Sequence, residues 1–216
     1  MRKSIIIVFI ILLIDQIVKV YIKTHFYLGE TVYIFGLDWA RIHFVENYGM
    51  AWGTEFGGRT GKLFLTFFRI IAVFGIIYWL VTSIKKKAPQ LLQFSISLIL
   101  AGAIGNIIDS AIYGIIFDTP GGRNLATLFA ENNYETFFHG RVVDMFYFPF
   151  IENGTFPEWI PFLGGGNFTF FNGIFNVADF AISCGVGILI FFNKRVFPKE
   201  IEETGAGDKN ISSEII

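Results

Sequence analysis

Four aspartates stand inside or beside apolar runs, where a charge is costly: Asp15, Asp109, Asp144 and Asp179. Two carboxylates held within a few ångströms of each other cannot both ionise easily, so one keeps a proton while the other accepts one. Such a pair activates water as a general base and protonates a carbonyl or a leaving amine as a general acid. In a low-dielectric site the two titrate as a unit. Asn106 lies three residues before Asp109 and Asn176 three before Asp179, a helical spacing that puts each amide on the face of its acid. Asp15 and Lys19 have the i, i+4 order, acid first, of an internal ion pair, which is structural support rather than chemistry. Asp144 belongs to the strand-like segment Arg141–Tyr147, which could return it to the mouth of a pocket. The residues alone leave two readings open: one polar pocket lined by several helices, or separate structural charges.

These side chains need a membrane scaffold to position them. The chain has 216 residues, of which 53% are hydrophobic and only 16% charged, with net charge −1. Soluble domains carry about 25% charged residues, and 27 Phe suit a lipid-facing or interfacial surface. Disorder is excluded, as is a basic nucleic-acid binder, because no positive excess exists to pair with phosphates. A single cysteine, Cys184, excludes an intrachain disulfide framework and a multi-cysteine metal site.

A helix needs about 20 mostly apolar residues to cross the hydrocarbon. Four stretches qualify, about 4–22, 63–84, 91–113 and 171–193. The expected fold is therefore an all-α polytopic membrane protein, one integral domain over residues 1–199 followed by a polar, disordered tail, 200–216. Arg2 and Lys3, the triplet Lys85–Lys87, and Lys194, Arg195 and Lys199 share one side of such a bundle. The positive-inside rule puts that side, with both termini, in the cytoplasm. The connections of about 23–62 and 114–170 then face outward. In the first, Thr31–Phe35 and Arg41–Val45 alternate as short strands around a turn near Gly36–Asp38. The second is long and contains Pro120-Gly121-Gly122 and Gly164-Gly165-Gly166, which are turn or flexible segments.

This topology brings the buried charges to one level. Asp179 falls about eight residues into its helix, Asp109 about four and Asp15 about seven from the outer ends, roughly 6–12 Å deep at 1.5 Å per residue. Arg69 enters its helix from the same side. Gly102 and Gly105 leave room for another backbone or a ligand to approach the third helix.

Five ordered blocks give the chain a resemblance to lipoprotein signal peptidase (signal peptidase II), a family of bacterial intramembrane aspartic proteases. They are Asp15-Gln16 with Lys19, Asn47–Gly53, Ala101–Asp109, Val142-Val143-Asp144, and Phe175–Asp179. The resemblance implies that Asp144 and Asp179 are the catalytic pair. It implies that Asn106, Asp109 and Asn176 form the polar surround, with Asn47 and Gly49 in an outer-loop block. Asp15 and Lys19 would be support, and the first outer loop a small extracytoplasmic sheet, or cradle. The implied substrates are diacylglyceryl prolipoproteins in membrane lipid, cut just before the lipidated cysteine. No metal, organic cofactor, nucleic acid or obligatory oligomer is implied.

Two departures stand out. Ser110 follows Asp109 where the family usually has Arg, and a hydroxyl cannot supply a guanidinium fork; Arg141 or Arg69 is expected to take part of that electrostatic role. An insertion of about 115–139 and extra length over 150–166 either reshape substrate access or add a structured loop without substrate contact. The rival functions are a small proton- or ion-coupled transporter, since intramembrane acids relay ions, and a lipid-binding scaffold. His25, His43 and His139 match no compact metal motif and read as surface or packing residues.

Overall fold

The computed structural model describes residues 1–48, 58–119 and 124–198. Gly49 with the rest of its block to Gly53, Pro120–Gly122, Lys199 and the tail 200–216 lie outside the described residues.

Among the described residues, three helices are long and apolar enough to cross a membrane: α1 (Arg2–His25), α2 (Gly58–Lys85) and α3 (Gln90–Ile108). The third runs on through a π-turn, Asp109–Tyr113, into one last turn, α4 (Gly114–Ile116), 27 residues in all. The first helix is built inside out. Asp15, Lys19 and Lys23 are buried while Ile5, Ile6, Phe9, Ile10, Leu13, Ile14 and Ile17 are exposed. Water would reverse that arrangement, whereas lipid favours it, because the charged stripe then meets its partners within the bundle. Helix α2 likewise turns Phe64, Phe67, Phe68, Ile71 and Phe74 outward.

A four-stranded antiparallel sheet caps one end of the bundle, in the order β1 (Thr31–Tyr33), β2 (Arg41–Asn47), β3 (Val142–Tyr147), β6 (Ile174–Phe175). Between β1 and β2 the chain makes a 3-10 turn at Ile34–Gly36, where Phe35 and Gly36 adopt positive φ. Strand β2 pairs Val45 with Asp144 and Asn47 with Val142, past an irregularity between Ile42 and Val45. A second hairpin, β4 (Ile151–Thr155) with β5 (Asn167–Phe170), stands apart as its own sheet. It leaves Trp159 and Phe162 almost fully exposed at its tip.

The last apolar stretch differs from the expectation of a helix over about 171–193. Helix α5 covers only Val177–Phe191, 15 residues, or about 22 Å at 1.5 Å per residue, against a hydrocarbon core of about 30 Å. Phe171 has positive φ and residues 174–175 join the sheet. The helix cannot begin earlier because Asn176 caps it: its side chain accepts from the Asp179 N–H, and the Asp179 carboxylate accepts from the Asn176 N–H. This reciprocal box fixes the first turn. Asp179 is thus the third helical residue, not the eighth.

Helices α3 and α5 pack closely. A Cβ on Gly102 would run into the Ala178 carbonyl, and one on Gly185 would meet the Ser95 carbonyl at 2.7 Å, so both glycines are set by backbone approach. The insertion after α4 is packed rather than loose. Phe117 is fully buried with Tyr113, Phe44, Val143 and Met145. The backbone N–H groups of Tyr134, Glu135, Phe138 and Gly140 donate to carbonyls of Phe117, Gly114, Ala111 and Ser110.

Candidate active site

Helix α1 supplies the base of the site. Lys19, fully buried, puts its ammonium 2.9 Å from Asp15 Oδ2, 2.8 Å from Asp109 Oδ2 and 3.0 Å from Asn106 Oδ1. A buried ammonium is tolerated only when its three N–H donors are met by acceptors, and all three are. The expected pair of Asp15 with Lys19 is therefore a triad with Asp109. Beside it, Gln16 donates to Asp15 (3.1 Å) and Asp109 (3.0 Å) and accepts from the Tyr113 hydroxyl (3.1 Å).

Each of the two acids in this triad reaches one residue short of a further aspartate. Asp15 Oδ1 accepts the Ala178 N–H at 2.8 Å, just before Asp179. Asp109 Oδ2 accepts the Val143 N–H at 3.3 Å, just before Asp144. Strand β3 and the start of α5 are thereby pinned to the same ion cluster.

Two amides join the remaining carboxylates. Asn106 Nδ2 donates to Asp179 Oδ1 at 2.8 Å, and Asn176 Nδ2 donates to Asp144 Oδ1 at 2.7 Å. Asn176 Nδ2 also lies 3.1 Å from Asn106 Oδ1 and 3.2 Å from the Val143 carbonyl. On the other side Asn47, the last residue of β2, donates to Asp144 Oδ2. Asp144 is 3% exposed, whereas Asp179 is half-buried at the head of α5. Burial, and then the nearby Asp179 charge, push the Asp144 carboxyl up to about 8. One carboxyl thus keeps its proton at neutral pH next to a second carboxyl held by N–H donors. A pair of carboxyls in such unlike states has the chemistry to activate water and to protonate a departing group.

The arrangement brings together Asp15, Lys19, Asn47, Asn106, Asp109, Asp144, Asn176 and Asp179. Arg141 stands elsewhere. Its guanidinium lies 3.5 Å from Glu46 and over the rings of Tyr48 and Tyr134. The cation in direct contact with Asp109 is Lys19, and Ser110 returns its hydroxyl to the Asn106 carbonyl. Arg69 lies within electrostatic range of Asp179, Asp109 and Asp144 from α2. Sequence reasoning gave no role to Lys23 and Glu46, which form a buried ion pair one turn beyond Lys19. The signal was present, since Asp15, Lys19 and Lys23 recur every four residues on one helix face. Among the described residues no group of His, Cys, Asp and Glu is placed to hold a metal ion.

Comparison with known proteins gives the family and the fold. The family described as Signal peptidase (SPase) II matches residues 7–194. A lipoprotein signal peptidase of Porphyromonas gingivalis is 50% identical over 183 residues, covering 84% of this chain and 78% of that protein. One of Amoebophilus asiaticus is 32% identical over 193 residues, covering 88% and 77%. A bacterial membrane enzyme solved by the in meso method at 2.3 Å has the same fold, with TM-score 0.58 and 24% identity over 94% of both chains. The chain is a multi-pass membrane aspartic protease of lipoprotein signal-peptide cleavage and belongs to the signal peptidase II family.

Proposed function

We propose that this protein removes signal peptides from diacylglyceryl-modified prolipoproteins by cutting just before the lipidated cysteine, with Asp144 and Asp179 as its catalytic pair. The observation that carries this reading is that Asn176 bonds both: its Nδ2 donates to Asp144 and its Oδ1 accepts from the Asp179 backbone. The ionised aspartate takes a proton from water as the oxygen attacks the scissile carbonyl, and the protonated one gives its proton to the carbonyl oxygen. The tetrahedral diol collapses as the aspartate that took the water proton passes it to the nitrogen of the lipidated cysteine, while the other aspartate takes back a hydroxyl proton from the diol. A signal-peptide carboxylic acid and a free cysteine amine result, and both aspartates return to their starting states.

Asn47, Asn106 and Asn176 orient the carboxyls, while Asp15, Lys19 and Asp109 hold the backbone that carries them. Both termini lie in the cytoplasm and the site near the outer face, consistent with Lys85–Lys87 closing the connection opposite the sheet. The substrate enters laterally with its acyl chains left in lipid, and one protomer suffices.

Purified protein in lipid-like micelles, given a diacylglyceryl prolipoprotein, should cleave before the modified cysteine with or without chelator. Asp144→Asn and Asp179→Asn should each lower turnover by about a thousandfold while the protein stays folded. Near-normal cleavage by folded Asp144→Asn rejects the pair.

A further inference from the structure

Two donors in the site cannot act as acceptors, and they fix the orientation of both asparagines. The Lys19 ammonium lies 3.0 Å from Asn106, so that amide must present its oxygen to Lys19 and its nitrogen to Asp179. The Asp179 backbone N–H likewise claims the Asn176 oxygen, so the Asn176 nitrogen must turn toward Asp144. The two carboxyls are not served equally. Asp179 receives the Asn106 N–H undivided, stands in the first turn of α5 at the positive end of its dipole, and is half-buried. Asp144 lies in a strand and is buried; its Oδ1 shares the Asn176 nitrogen with Asn106 Oδ1 and the Val143 carbonyl, and its Oδ2 accepts from Asn47. Lys19 also binds Asp15 and Asp109, which clamp the residues preceding each member of the pair.

We propose that Lys19 is a positioning residue that sets the polarity of the pair, holding Asp179 as the charged, water-activating carboxylate and leaving the proton on Asp144. The proposal rests on the catalytic reading of the two aspartates. Buried Asp144, pushed up to about 8 by desolvation and by Asp179, is in keeping with it. Other charged groups around the pair are Asp15 on α1, Arg69 on α2, Asp109 on α3, and Glu46 and Arg141 on β2 and just before β3. Lys19 is the cation that donates directly to Asn106.

The test is the pH dependence of cleavage in Lys19→Gln beside Lys23→Gln. Lys23 is equally buried on the same helix and ion-paired to Glu46, but does not touch the asparagines. Loss of the Lys19 cation should move both limbs of the bell-shaped profile to higher pH by about 1 unit. The fall should be in kcat, with KM little changed. Lys23→Gln should lose stability with both limbs in place. Unmoved limbs in folded Lys19→Gln, or an equal shift in Lys23→Gln, overturn the proposal. If Lys19→Gln does not fold, 13C carboxyl titration of the wild-type protein decides the polarity, and a higher-pH titration on Asp179 than on Asp144 overturns it. Active Asp144→Asn and Asp179→Asn proteins would reject the catalytic reading itself. Inactive ones beside an unshifted Lys19→Gln reject only the role of Lys19.

Discussion

Two buried lysines one helical turn apart on α1 sit in very different surroundings. Lys19 has every donor matched, by Asp15, Asp109 and Asn106. Lys23 pairs with Glu46 beneath the rings of Phe117 and Tyr134. Around it, Glu46 Oε2 and Arg141 Nε have no hydrogen-bond partner among the described residues. A matched network in a low dielectric is rigid and specifies one arrangement, whereas a partly matched one tolerates rearrangement. The matched cluster carries the two aspartates. The looser one ties β2 and the segment before β3 to the packed insertion. Aromatic faces stand in there for some of the missing donors and acceptors, through cation–π contacts.

The sharpest way to break this contrast is to remove each lysine. Lys19→Ala strands two buried carboxylates and should cost about 3–5 kcal/mol. Lys23→Ala leaves Glu46 with Arg141 3.5 Å away and should cost roughly 1–3 kcal/mol. Thermal inactivation in micelles compares them, and equal losses would erase the distinction.

Asp144 gives the next largest effect. Its folded carboxyl titrates near 8, whereas an unfolded Asp titrates at about 3.9. The folded state therefore binds the extra proton between those values. The resulting stability is whole below about pH 3.9 and lost as pH rises through about 8. Cleavage should fall over the same upper limb, as the proton donor is lost. Asp144→Asn, which cannot ionise, should gain in Tm over wild type between about pH 4 and 8 while remaining inactive. A constant Tm difference across that range would contradict the burial of an uncharged Asp144.

Smaller effects test the walls of the site. Gly105→Ala puts a Cβ 2.7 Å from Asp15 Oδ2 and 3.1 Å from the Ala178 Cβ, and overpacking of this kind costs about 1–3 kcal/mol. Because Asp15 holds the Ala178 N–H, turnover should drop along with Tm. Far from the ion cluster, Arg41 makes a two-pronged contact with Glu152, at 2.9 and 2.5 Å, joining β2 to the β4–β5 hairpin. Glu152 is partly exposed, so Glu152→Gln should change stability by less than about 1 kcal/mol and leave cleavage at its wild-type rate.

Much of the scaffold was legible in the chain. Runs of apolar residues mark the first three helices, because only helices satisfy every backbone group within lipid. Alternation around Gly36 marks β1 and β2. The shortening of α5 was also written there, since Asn176 and Asp179 are three apart ahead of an apolar run, the signature of a capping box. The same spacing also describes two neighbours on one helix face, and periodicity cannot choose between these meanings. The insertion gave no such signal. Its order comes from Phe117 entering a core of residues drawn from α1, β2, α4 and β3.

The sequence by itself determined the membrane class, the polar stripe Asp15–Lys19–Lys23 and the kinds of side chain available for acid–base work. Each of these follows from composition or from contacts within a few residues. Only the tertiary structure decided that Lys19 rather than Arg141 would face Asp109, and that Asn176 would hold Asp144 as well as cap Asp179. Those contacts join a strand to the heads of helices far away in the chain. Local propensity carries no record of them, because their geometry exists only once the backbones of α3 and α5 have closed on glycine and the ammonium has drawn its acceptors together.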